Sequence, residues 1–209
     1  KDAWLRLYDK PVFYFPKFFH PDFSVKRQSG FLMPTFEDSS SLGGSFHVPY
    51  YLVLADNKDF TFKPRLYSND KVLIQSEYRQ INSNSDHLLD FSIMQENNKT
   101  SKNHFFSKTS KELNFANFEE SELDFNLQLT SNDTYLKTYK LKSPIIQETN
   151  ILTSSLQVNN YREDLSITTN FYVIEDLGKK DSNKYEFVYP AYDLNKKLNF
   201  ETMLDGDFS

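Results

Sequence analysis

The feature that most constrains this chain is an alternation of apolar and polar residues that restarts after each short polar break. Leu123, Phe125, Leu127 and Leu129 interleave with Asp124, Asn126, Gln128 and Thr130. A period of two sorts these sets onto the two sides of a pleated strand, whereas a helix would scatter both around its circumference. The same rhythm occupies residues 45–54, with Phe46, Val48, Tyr50, Leu52 and Leu54 on one side and Ser45, His47, Pro49, Tyr51 and Val53 on the other. It resumes after Asp56-Asn57 with Phe60, Phe62, Pro64 and Leu66 opposed to Thr61, Lys63 and Arg65. Alternation on both sides of a short Asp-Asn break predicts a hairpin. Further runs fall at 72–81, 88–94, 105–115 (weaker), 151–158, 165–173 and 185–189, and another starts at 200–204.

Composition agrees. There are 20 Phe and 13 Tyr but one Trp, and aromatic residues make up 16% of the chain, a bias that suits strands. The mean hydropathy of -0.63 leaves a membrane β-barrel open, because barrel strands are apolar on one side only. No stretch approaches the ~18 apolar residues of a transmembrane helix. Several runs are close to the ~9–11 residues with which a tilted strand crosses a bilayer. Alternation alone fits a lipid-facing barrel and a soluble β-sandwich equally.

Other chemistry finds no support. A net charge of -5 with both signs interspersed argues against nucleic acid as a partner. The absence of cysteine removes a disulfide framework or Cys-ligated metal. His20, His47, His87 and His104 are scattered without metal-ligand spacing, and no nucleophile elbow, phosphate loop or dinucleotide fingerprint occurs. No metal, no cofactor and no enzymatic activity are expected. No secretory leader is visible, and a chain running from Lys1 to Ser209 without an initial Met reads as a piece of a longer protein.

The first forty residues differ. Pro11, Pro16 and Pro21 punctuate an aromatic segment at steps of five, marking strand ends or edges. Residues 22–44 read as a connector, with Gly30 and Gly44 expected at tight reversals.

Local sequences then become specific. Tyr8-Asp9-Lys10-Pro11-Val12-Phe13-Tyr14-Phe15-Pro16 is similar to the end of the periplasmic domain of the LptD family, outer-membrane proteins that assemble lipopolysaccharide. Lys26-Arg27-Gln28-Ser29-Gly30-Phe31-Leu32-Met33-Pro34-Thr35-Phe36 resembles that family's junction into its barrel, with Arg27, Ser29, Gly30, Phe31 and Pro34 as the matching positions. Val48-Pro49-Tyr50-Tyr51, Leu54-Ala55-Asp56-Asn57-Lys58-Asp59 and Thr61-Phe62-Lys63-Pro64-Arg65-Leu66-Tyr67 resemble its first hairpin, and Glu77-Tyr78-Arg79 the strand after it. His104-Phe105-Phe106 and Ser131-Asn132-Asp133-Thr134-Tyr135-Leu136 are similar to later segments. Leu52 and Asp56 depart from the family's usual aromatic and proline.

The resemblance implies an all-β chain in two parts. Residues 1–42 would be the end of a periplasmic β-jelly-roll with its connector, and 43–209 the first strands of an antiparallel meander in a large transmembrane β-barrel. It implies lipopolysaccharide transport into the outer leaflet of the outer membrane, with outer-membrane lipid, the plug lipoprotein LptE and the periplasmic bridge protein LptA as partners. Pro49 and Pro64, equidistant from the Asp56-Asn57 turn, are expected to face each other and loosen a lateral gate. Tyr50, Tyr51, Phe60 and Phe62 are the expected lipid path. The competing readings are a porin-like diffusion channel and a soluble β-sandwich binding module.

Overall fold

The computed structural model describes residues 3–7, 10–15, 27–96, 99–180, 183–199 and 205–208. Pro16, Pro21, His20 and the run at 200–204 lie outside them. The first elements are β1 (Ala3–Leu7) and β2 (Lys10–Phe15), an antiparallel pair. The segment read as a connector carries two short strands, β3 (Gly30–Phe31) and β4 (Thr35–Ser39). The first long run is split into β5 (Gly43–His47) and β6 (Tyr50–Ala55). There follow β7 (Lys58–Tyr67), β8 (Lys71–Ile81), β9 (Ser85–Glu96), β10 (Lys102–Glu112) and β11 (Glu120–Thr130). One helical turn, α1 (Tyr135–Thr138), precedes β12 (Ile151–Arg162), β13 (Leu165–Asp176), β14 (Tyr185–Asn199) and β15 (Asp205–Phe208).

Among the described residues, β3 to β15 form one thirteen-stranded antiparallel sheet. From β7 to β15 each strand pairs with its neighbours in sequence, so the sheet is a meander. Strands β8, β10 and β11 are each 11 residues long. At ~3.3 Å per residue such a strand is roughly 36 Å long, and a tilt of ~45° reduces its height to roughly 25 Å, that of a bilayer's apolar band.

The register assigns the side chains to two unlike faces. Phe62, Ser76, Phe91, Phe105 and Leu129 follow one another across β7 to β11 on one face. On β12 to β14 the same face continues with Leu156, Phe171, Ile167 and Leu194. Its rings and aliphatic chains are open: Phe91, Phe105, Leu129 and Phe171 are each between 39% and 49% exposed. The opposite face carries Thr61, Glu77, Asp90, Lys108 and Asn126. The polar face is the covered one, inverting the arrangement of a water-soluble sandwich, whose apolar faces meet inside.

Residues 131–150, between β11 and β12, cover one end of the polar face. Asn132 opens the segment as an Asx turn, its Oδ1 accepting from the Thr134 backbone N–H at 3.2 Å and the Thr134 hydroxyl at 2.9 Å. Tyr135, Leu136, Tyr139 and Leu141 then pack with Leu42, Tyr67, Leu73, Met94 and Phe106 in one buried cluster. Each such side chain withdrawn from water contributes about 1.5–3 kcal/mol. Leu141 N–H donates to Leu136 O at 2.9 Å and Lys140 N–H to Lys137 O at 3.3 Å, a Schellman close to the turn.

Candidate functional site

The sheet margin formed by β3 to β7 gathers the residues that the sequence singles out. β7 pairs with both halves of the preceding strand: Ser45↔Tyr67 to His47↔Arg65 on one side of the gap, Tyr50↔Phe62 to Val53↔Asp59 on the other. These share one register, which places Val48 opposite Pro64 and Pro49 opposite Lys63. The two prolines therefore do not face each other, contrary to expectation. The turn is at Asp56-Asn57 as anticipated, but Leu54 is an extra residue between Val53↔Asp59 and Ala55↔Lys58. This bulge moves the register by one place.

That slip gives the prolines different roles. Val48 N–H donates to Pro64 O at 3.3 Å, so Pro64 points its backbone at β5 and β6 and has no N–H to return. Pro49 points the other way: its carbonyl accepts from Leu32 N–H at 2.8 Å. Only Pro64 depletes the ladder toward β7, while Pro49 depletes the ladder toward the margin.

The margin is also broken. Gly30↔Tyr51 and Phe31↔Tyr50 pair in one register, and Thr35↔His47 to Ser39↔Gly43 in another displaced by one residue. Leu32, Met33 and Pro34 lie in the interruption, across from Val48 and Pro49. Two short ladders thus meet at a gap flanked by Pro34 and Pro49, each without an amide donor.

Polar contacts hold the upstream end of this margin. Ser29 Oγ accepts from Val53 N–H at 2.8 Å. Arg27 donates to the Tyr51 hydroxyl at 3.0 Å and pairs with the buried Asp59 carboxylate. Asp59 also accepts from Arg79 Nε at 2.9 Å, so one carboxylate joins the junction to β7 and β8. Of the junction residues, Arg27 and Ser29 hold the segment, and Phe31 packs edge-on against Tyr50 with centroids 4.9 Å apart. Gly30 sits in an extended strand, and a Cβ there would meet nothing within 4 Å. The reversal instead needs Gly43, at φ +76°, where a Cβ would also approach Ser68 Oγ to 2.7 Å. Gly44, expected at a reversal, has ordinary contacts.

The four aromatic candidates divide between the faces. Tyr50 lies opposite Phe62 and Leu52 opposite Phe60 on the apolar side, while Tyr51, opposite the buried Thr61, lies on the polar side. Tyr50, Phe60 and Phe62 lie on the apolar face, and Tyr51 belongs to the junction's polar contacts.

A buried network on the polar face was not anticipated. Asp90, His104 and Tyr135 are fully or almost fully buried. Ser92 Oγ lies 2.7 Å from both His104 Nδ1 and the Tyr135 hydroxyl, and His104 Nε2 lies 3.3 Å from Asp90 Oδ1. One proton arrangement satisfies all three contacts: Tyr135 donates to Ser92, Ser92 to His104 Nδ1, and His104 Nε2–H to the carboxylate. Gln75 Nε2 donates to Asp90 at 3.0 Å and to Lys142 O at 2.9 Å. Arg65 donates to Tyr139 O at 3.3 Å. The available signals were the polar residues at alternate positions, Asp90 and Ser92, next to a strand carrying His104 and Phe106.

No protein-family profile matches the chain. It is 39% identical over 85 residues to the LPS-assembly protein LptD of Pseudomonas aeruginosa (strain UCBPP-PA14), a stretch covering 41% of this chain and 9% of that protein. It is 42% identical over 82 residues to the protein of that name in Pseudomonas putida (strain GB-1), covering 39% of this chain and 9% of the relative. In Idiomarina loihiensis (strain ATCC BAA-735 / DSM 15497 / L2-TR) the figures are 40% over 83 residues, 38% of this chain and 11% of the relative. The matched stretch thus spans about a tenth of these relatives' length.

Proposed function

We propose that this chain is part of a protein of the LptD family, to whose members it is similar, and that it supplies the first strands of an outer-membrane β-barrel that inserts lipopolysaccharide into the outer leaflet, with release beside β3 to β7. The observation that carries the reading is the margin itself. Its two short ladders are separated by the Pro34–Pro49 gap, and Pro64 removes a further donor behind them. A seam made of short, interrupted ladders opens at lower cost than a continuous one.

The open apolar face supports placement in lipid, because a soluble module would leave rows of Phe and Leu in water. On this reading residues 43–209 are barrel strands and 1–42 the end of a periplasmic jelly roll with its junction. Pro49 and Pro64 are the gate residues, each acting on a different ladder. Tyr50, Phe60 and Phe62 meet acyl chains as they leave, and Tyr51 serves the junction. The protein carries lipid without performing covalent chemistry on it. A plug lipoprotein of the LptE kind and a periplasmic bridge protein of the LptA kind complete the proposed assembly.

The test is photo-crosslinking in the full-length parent protein, with probes at Tyr50 and Phe62 and a control at Phe187 on β14. Lipopolysaccharide adducts at the first two positions and none at the third are expected. Equal labelling at all three, or none in an assembled barrel, overturns release at this margin and favours a porin-like channel.

A further inference from the structure

Between the margin and the segment after α1 lies a cavity of about 620 Å³ on the polar face, within the ~300–1,000 Å³ range of small-ligand sites. Pro49 lines it, so it adjoins the gap in the margin. Its charge opposes that of the chain. Lys63, Arg65, Lys140 and Lys142 line it, against Glu37 and Asp38, while the whole chain carries -5. Two of these cations are engaged: Lys63 Nζ pairs with Glu77 at 2.8 Å, and Arg65 lies 3.9 Å from Glu37. Lys140 and Lys142 have no acidic partner among the described residues.

One further observation points to a ligand. Tyr67 lines the cavity and is only 7% exposed, and with the Arg65 guanidinium, itself only a donor, beside it, its O–H has no acceptor among the described residues. Such buried orphans are rare in folded proteins. Lys140 occupies the left-handed close of α1 at φ 49°, a position that ordinarily takes glycine. The Schellman turn fixes that conformation, and Lys140 lines the cavity from it.

We propose that this cavity binds a phosphoryl group of a phosphorylated glycolipid, with Lys140 and Lys142 supplying charge and the Tyr67 hydroxyl donating to a phosphoryl oxygen. The proposal rests on the lipid-release reading above and adds where the headgroup is held while acyl chains leave through the margin. Lysine ammonium groups bind phosphate as point charges, and a buried hydroxyl orients it. No bond is made or broken.

Binding to the full-length parent protein in detergent, by thermophoresis, tests it with three probes: lipopolysaccharide, the same lipid stripped of phosphate by phosphatase, and inorganic phosphate. The intact lipid is expected to bind at least about tenfold tighter than the stripped one. Lys140→Gln with Lys142→Gln, and separately Tyr67→Phe, should reduce that ratio, and Lys140→Arg with Lys142→Arg should restore it. Protection of residues 131–150 from protease confirms that each variant keeps the segment docked. Equal affinity for intact and stripped lipid, or a ratio unchanged in Lys140→Gln with Lys142→Gln, overturns the phosphoryl site. Adducts at Tyr50 and Phe62 would then still support release at the margin. Inorganic phosphate binding as tightly as the lipid would make the occupant a free anion and overturn the headgroup assignment.

Discussion

The Tyr135 hydroxyl sits 2.7 Å from Ser92 Oγ, tying the turn after β11 to the middle of the polar face. Tyr135→Phe keeps the ring and leaves the Ser92–His104 pair in place. It should cost about 1 kcal/mol, the net value of one hydrogen bond. Tyr135→Ala also empties the site among Phe106, Leu136 and Tyr139 and should cost about 3–5 kcal/mol, as aromatic truncations in cores do. Urea titration of the full-length protein, followed by cleavage within residues 131–150, distinguishes the two.

The register around the first turn can be read by cross-linking. His47→Cys with Arg65→Cys places two thiols directly across the ladder and should oxidise readily. His47→Cys with Leu66→Cys matches the register of a turn without a bulge and should not. These 209 residues contain no other cysteine. Removing Leu54, the bulged residue, sets Val53 beside Ala55 without moving either pairing, so the His47–Arg65 cross-link should persist.

The prolines should separate by ladder. Pro64→Ala restores a donor facing Val48 and should strengthen the hairpin by about 1 kcal/mol. Pro49→Ala restores a donor facing Leu32 and should strengthen the margin by a similar amount. Lipopolysaccharide arrival at the cell surface, followed by pulse labelling, should slow in each and most in the double variant. Unchanged arrival in the double variant counts against a gate here.

Lys184, between β13 and β14, donates to Asp133 at 2.7 Å and lies 2.9 Å from Glu175. Hydrogen bonding to Asp133, then to Glu175, holds its ammonium above the usual lysine range. A raised lysine contributes stability that is complete below the unfolded value, about 10.4, and is lost as pH rises through the folded one. Lys184→Met should therefore loosen residues 131–134 by about 1 kcal/mol at neutral pH. Protease protection of that segment in the wild type should weaken only in strong alkali.

Much of the sheet was legible because its two faces demand unlike residues, and period two records that demand directly. The run at 123–130 lies within β11 for this reason. The run read at 185–189 is only the start of β14, which continues through Pro190 to Asn199. The register against β13 shifts between Asn170 and Tyr172, so a bulge absorbs the proline. The hairpin register failed through the same device at Leu54, which changes no residue type and leaves no periodic trace. The glycines show the limit for turns: Gly30 and Gly44 were the expected reversals, and only the chain's path puts the positive φ at Gly43. The docking of α1 on the polar face was illegible because its partners come from several strands.

Leu42, at the turn between β4 and β5, shares its buried cluster with Tyr139, which follows α1. Every strand from β5 to β11 lies between them in the chain. The margin is thus fastened from the polar side by a segment that arrives after it. The earliest hairpin therefore stays without this fastening until the later segment folds back. On the proposed barrel reading, a chain halted before that moment leaves this margin unsecured.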